Sequence, residues 1–159
     1  MTTPSAVRST RRGVPPANHV WPATVESVVP ARDEVVRFAR SVGASRRTLD
    51  DIKLATSEAC TNAVLHAYAP EHSDTPTFLV SFESLDGEIV VQVRDHGSGL
   101  APRPTSSGLG LGLALIAEVA RAVAITTAGG GGGTQLRMCF SIDAAAKGLP
   151  NPASRCLAW

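Results

Sequence analysis

The chain has 159 residues, 43% of them apolar and 18% charged, and a net charge of +1. That length fits one domain with its own core, and the composition excludes a disordered chain. Near-neutral charge argues against a general electrostatic role on nucleic acid or membrane, and no apolar run is long enough to span a bilayer.

Residues 1–18 are rich in Thr, Ser, Pro and Arg and read as a disordered tail. Arg8, Arg11 and Arg12 are not followed by an apolar stretch, so no secretion signal is expected. Residues 19–29 carry an extended apolar pattern, an edge strand broken at Pro22. Pro30 suits the first turn of a helix, which runs to about 42 on Val35, Val36, Phe38 and Ala39 and is stopped by Gly43. A second helix covers about 46–67, where Ile52, Ala55, Ala59 and Ala63 recur at helical spacing. Such small residues let a helix lie close to what it packs on.

Residues 77–85 and 88–95 alternate apolar and polar side chains around Asp86-Gly87, a strong hairpin turn. A Gly/Pro/Ser loop follows to about 107. Residues 109–122 read as a helix with its glycines at the N-terminal end, 123–127 as a short strand and 129–133 as a glycine turn. Residues 134–142 form a last strand, with Thr134, Leu136, Met138, Phe140 and Ile142 on one face. The remainder, 144–159, reads as a C-terminal tail. Paired strands with helices on one side imply an α+β fold over 19–143. Its expected form is a two-layer sandwich: a mixed, mostly antiparallel sheet covered on one face by about three helices. Cys60, Cys139 and Cys156 are widely spaced and odd in number, so neither zinc nor a disulfide framework is expected, and a reducing, cytoplasmic compartment is the default.

Glu58, Asn62 and His66 are successive i,i+4 neighbours on the second helix, along the edge of the alanine stripe. A carboxylate and an amide there face a cleft or the interior and need partners. By themselves they are better explained by solvent or an internal hydrogen bond than by a ligand. Asp95 lies in phase with Ile89, Val91 and Val93, the core side of its strand. Such a carboxylate needs a donor, either a ligand amine or the amides of the turn it opens. The run Ser107-Gly-Leu-Gly-Leu-Gly-Leu113 opens a helix, where converging N–H groups and the helix dipole suit an anion. It does not follow a strand directly, as a dinucleotide-binding turn would, and no Lys-Ser/Thr pair makes it a P-loop. Thr134 is either a β-branched strand residue or a hydroxyl lining the same pocket as Asp95.

The order Glu58-x-x-x-Asn62-x-x-x-His66, Asp95-His-Gly97-Ser-Gly99, Gly108-Leu109-Gly110-Leu111-Gly112, Gly133-Thr134 resembles the Bergerat-fold ATP-binding superfamily. The stretch SEACTNAVLHAY and the compact size are most similar to its anti-sigma-factor serine kinase branch. The resemblance covers about 20–142 and implies ATP and Mg2+ as cofactors. It implies Asn62 on the magnesium ion, Glu58 as general base, and Asp95 accepting from the adenine amine. Gly97 and Gly99 would let the chain pass the base, Gly108 to Gly112 would wrap the phosphates, and Thr134 would support adenine. His66 reads as structural. The lid between Gly99 and Gly108 is short, and Ser106 stands where that branch often has a basic phosphate contact, with Arg103 as a candidate substitute.

The resemblance implies a serine/threonine-protein kinase that phosphorylates a small antagonist protein and sequesters a sigma factor, regulating transcription, with a homodimer common in that branch. The alternative is a non-catalytic module in which ATP gates a protein-binding surface. A detached histidine-kinase catalytic domain fits less well, because no helical hairpin bearing a phosphoacceptor histidine precedes the domain.

Overall fold

A computed structural model describes residues 13–66, 76–97, 109–127 and 133–143. The elements run β1 (Gly13–Pro22), α1 (Val25–Ser41), α2 (Arg46–His66), β2 (Thr77–Leu85), β3 (Glu88–Asp95), α3 (Leu109–Val119), β4 (Ala122–Thr127) and β5 (Thr134–Ser141). The five strands form one sheet in the order β1-β2-β3-β5-β4, and every pairing between them is antiparallel. The expectation of one face covered by about three helices holds. The tails at 1–12 and 144–159, the loop at 98–108 and the glycine turn up to 132 lie outside the described residues.

Alternation decides which sheet face is buried. Phe78, Val80 and Phe82 of β2, Ile89, Val91 and Val93 of β3, and Leu136, Met138 and Phe140 of β5 point to one side and are all buried. The helices close that side. Central α2 sets Ile52, Ala55, Ala59 and Ala63 on the sheet, none more than 3% exposed. Side chains this small bring the helix axis close to the strands, and α1 and α3 then pack along α2 with Val35, Ala39 and Ile116. The far face of the sheet holds a smaller buried cluster, Val90 with Cys139, and the ion pairs Arg121–Glu88 at 3.5 Å and Arg137–Glu83 at 3.9 Å. Cys139 is disulfide-bonded, its partner lying outside the described residues, which departs from the expectation drawn from cysteine spacing.

The hairpin between β2 and β3 falls where Asp86-Gly87 places it, with positive φ at both residues (53° and 82°), the twist that matches two antiparallel strands. Helix α2 is fixed at its start by Ser45, whose hydroxyl accepts from the Thr48 N–H at 3.2 Å. Thr48 in turn donates to the Ser141 carbonyl at 3.0 Å, tying the first turn of α2 to the end of β5.

Three boundaries differ from expectation. β1 begins at Gly13, so 13–18 belong to a strand; Pro15 and Pro16 are tolerated because β1 is an edge strand, where the register against β2 shifts between Val14 and Ala17. Helix α1 begins at Val25, before Pro30, which sits inside it. Val25, Val28 and Val29 favour a strand locally, yet burial of Ala31, Val35 and Ala39 against the sheet carries the helix through them. Helix α3 ends at Val119 rather than near 122, because Arg121 already donates its backbone N–H to the Cys139 carbonyl and Ala122 pairs with Cys139 in β5.

Candidate functional site

Glu58 and Asn62 are half-buried, on the strip of α2 that borders the fully buried alanines. What faces them is Gly112, the buried glycine in the first turns of α3. A methyl group on Gly112 would stand 2.8 Å from Glu58 Oε2 and 3.7 and 3.8 Å from the Asn62 amide nitrogen and oxygen. The absent side chain therefore leaves a cradle between two helices, floored by a carboxylate and an amide. The N-terminal end of α3 sits over it, where backbone N–H groups lack intrahelical partners and favour an anion. Oxygen donors beside a helix N-terminus suit a hard divalent cation that keeps water and anionic oxygens as its other ligands.

Asp95 closes β3 on the core side and is only 6% exposed. Its Oδ1 accepts from the Gly97 backbone N–H at 3.0 Å and from the Thr134 backbone N–H at 3.1 Å. The turn-capping role weighed for Asp95 is thus present, and the bond from Thr134 adds the neighbouring strand to it. Both of these bonds end on Oδ1. Burial pushes the Asp95 carboxyl above its ordinary range, against the opposing pull of the two amides and of nearby His96. A raised carboxyl with one oxygen fixed by the backbone is a rigid acceptor for a neutral N–H donor such as an exocyclic amine.

Gly133 has a role that the sequence reading did not give it. Its φ is +92°, and a methyl group there would collide with the Asp95 carbonyl oxygen and the His96 Cα. Only glycine lets β5 begin this close to the end of β3, and that closeness delivers the Thr134 N–H to Asp95. The group of Thr134 that reaches Asp95 is therefore its amide; the sequence reading had looked to its hydroxyl. The clue was available in the last glycine of the 129–133 run, next to a strand start.

The two halves of the site lie towards the same end of the fold. Because α2 is anchored at its start to the end of β5, it runs back along the sheet towards the start of β5 and the end of β3. At about 1.5 Å per residue, Glu58 and Asn62 lie roughly 20–25 Å from the Ser45 end. The eight residues of β5 span about 27 Å. Glu58 and Asn62 are thus directed towards the end of the sheet where Asp95, Gly97 and Thr134 lie. Leu109 and Gly110 open α3, and Leu111 on its next position is exposed. His66 is the last residue of α2. Gly99, Arg103, Ser106 and Gly108 lie outside the described residues.

Comparison with known proteins bears on the family and the fold. The model of the histidine kinase-like ATPase domain matches residues 21–140. An anti-sigma F factor of Clostridium botulinum (strain Eklund 17B / Type B) is 31% identical over 74 residues, 46% of this chain and 50% of that protein. An anti-sigma F factor of Pasteuria penetrans is 40% identical over 70 residues, 44% of this chain and 46% of that protein. The serine-protein kinase RsbW of Halalkalibacterium halodurans is 37% identical over 84 residues, 48% of this chain and 49% of that protein. The matches thus span about half the length of these curated relatives. A crystal structure of the RsbU and RsbW domains of a Mycobacterium tuberculosis protein superposes with a TM-score of 0.60 at 25% identity, covering 80% of this chain and 32% of that one. The chain belongs to the histidine kinase-like ATPase family.

Proposed function

We propose that this member of the histidine kinase-like ATPase family binds ATP with Mg2+ and acts as a serine-protein kinase and anti-sigma factor. The observation that carries the proposal is the cradle in which Gly112 leaves Glu58 and Asn62 open to the start of α3. Bound ATP would supply the phosphoryl group, and Mg2+ the neutralisation of its charge. Asn62 offers its amide oxygen to the cation. Glu58 holds its carboxylate one helical turn before Asn62, where it would orient a serine hydroxyl and take its proton as attack proceeds. Asp95 would accept from the adenine amine through Oδ2 while the Gly97 and Thr134 amides keep the carboxyl in place. Gly99, Gly108, Leu109, Gly110 and Leu111 complete the proposed nucleotide contacts.

A sigma factor as partner is supported by the relatives, two of which are named anti-sigma F factor and one serine-protein kinase. We assign this chain a sigma factor as the protein it sequesters, a small antagonist as its phosphorylation substrate, and a homodimer as its working form. Incubation with labelled ATP, Mg2+ and the cognate antagonist tests the kinase assignment. Wild type is expected to yield phosphoserine on the antagonist, and Glu58→Gln at least about a hundredfold less, the usual worth of a positioned general base. Equal partner regulation by both proteins, without phosphotransfer by either, would replace the kinase with a nucleotide-gated binding module.

A further inference from the structure

A groove of about 800 Å3 lies between the second half of α1 and the first half of α2. Its apolar part is Val36 and Leu49, both half-buried. Around them stand Arg37, Arg40, Arg46 and Lys53, all exposed. None of these four cations forms an ion pair with another described residue. Asp33 and Asp50 also line the groove. Asp33 is already engaged, however, accepting from Arg32 Nη2 at 2.7 Å and Nε at 2.9 Å, so it does little to offset the basic rim. In a chain of net charge +1, residues 37–53 hold five cations against two carboxylates.

The groove is separate from the nucleotide cradle. Glu58 and Asn62 face α3, whereas these residues lie where α2 meets α1, on the other flank of the same helix. Lone exposed cations are ordinary. Four of them ringing a concave apolar floor, opposed within the groove by Asp50 and by an Asp33 already paired with Arg32, are an electrostatic and shape complement to something acidic with an apolar edge.

We propose that the α1/α2 groove docks an acidic amphipathic helix of a partner protein. Its apolar side chains would seat on Val36 and Leu49, and its carboxylates would meet Arg37, Arg40, Arg46 and Lys53. A nucleic-acid backbone suits the groove less well. It offers no apolar edge for Val36 and Leu49, and Asp50 would repel its phosphates. The inference does not depend on the nucleotide reading, since the two sites share no residue.

The test uses the full chain and fluorescence anisotropy with three labelled probes. The first is a synthetic amphipathic helix with leucines at i, i+3, i+4 and i+7 and glutamates elsewhere. The second is its scrambled sequence, and the third a single-stranded oligodeoxynucleotide of equal charge. The proposal expects the amphipathic helix to bind most tightly, with an affinity that falls as salt rises. Arg37→Glu/Arg40→Glu is expected to weaken it about tenfold or more, and the milder Arg46→Gln/Lys53→Gln to weaken it less. Thermal melts should show both variants folded, as suits exposed positions. Asn62→Ala should leave peptide binding unchanged, which keeps this test distinct from any failure of ATP binding. No binding, equal binding of the scrambled peptide, tighter binding of the oligonucleotide, or folded variants that bind like wild type would each overturn the proposal.

Discussion

At the residue scale, the site depends on one missing side chain and one misplaced charge. Gly112 is helical, so alanine there should favour α3 by up to about 1 kcal/mol. Its methyl group would nevertheless stand 2.8 Å from Glu58 Oε2, and the flexible carboxylate must swing away. Gly112→Ala should therefore melt at or slightly above the wild-type temperature while losing at least about tenfold in phosphotransfer, since displacing a catalytic group by an ångström has such effects. A paired melt and kinase assay reads both; wild-type activity would show that Glu58 does not need its observed position. Asp95 carries the charge. Its carboxyl holds a proton more tightly in the folded protein than in the unfolded chain. Its contribution to stability is therefore greatest at low pH. It declines as pH rises from 3.8, the ordinary aspartate value, through the raised native pKa, and is fully lost above that. Asp95→Asn keeps an oxygen for the Gly97 and Thr134 amides and removes the charge. Denaturant titrations across that window should show the variant gaining on wild type as pH rises, then a constant difference. A difference that is flat from the start would contradict the burial argument.

At the scale of elements, what was legible in the sequence was what local chemistry decides. The β2–β3 hairpin is fixed by Asp86-Gly87 and by strict alternation on both sides, and its bounds follow from the residues alone. The alanine spacing of α2 likewise reveals which side lies on the sheet. The start of α1 was not legible, because Pro30 and the valines before it point to a strand followed by a helix, whereas long-range packing of Ala31, Val35 and Ala39 draws the helix back to Val25. Within α1, Pro30 cannot donate to the Glu26 carbonyl, four residues earlier. Pro30→Ala restores that bond at an exposed position and should stabilise the protein by about 1–3 kcal/mol in urea unfolding. No gain would mean that the first turn and a half of α1 contributes little to the folded state. For the site, the sequence supplied Glu58, Asn62, Asp95 and the glycine loop; the relation it could not supply was a distance. The close approach of Gly112 to Glu58 and of Gly133 to Asp95 arises only when α3 packs on α2 and β5 pairs with β3.

At the scale of the whole molecule, one helix organises everything. Helix α2 is pinned to the end of β5 by Ser45 and Thr48, packed on the sheet by its alanines, and flanked by α1 and α3. Its two flanks have different characters: one opens to α3 with a carboxylate and an amide, the other to α1 with cations that form no ion pair among the described residues. A nucleotide on the first flank and an acidic helix on the second would each brace α2 against a different neighbour. Calorimetric titration of ATP into the folded protein with Mg2+ present tests the central claim most directly. The account predicts saturable heat for wild type, and little or none for Asp95→Asn, whose amide would face the adenine amine donor to donor, or for Asn62→Ala, which removes the cation ligand. Absence of heat with well-folded wild type, or binding by both variants as tight as wild type, would contradict it.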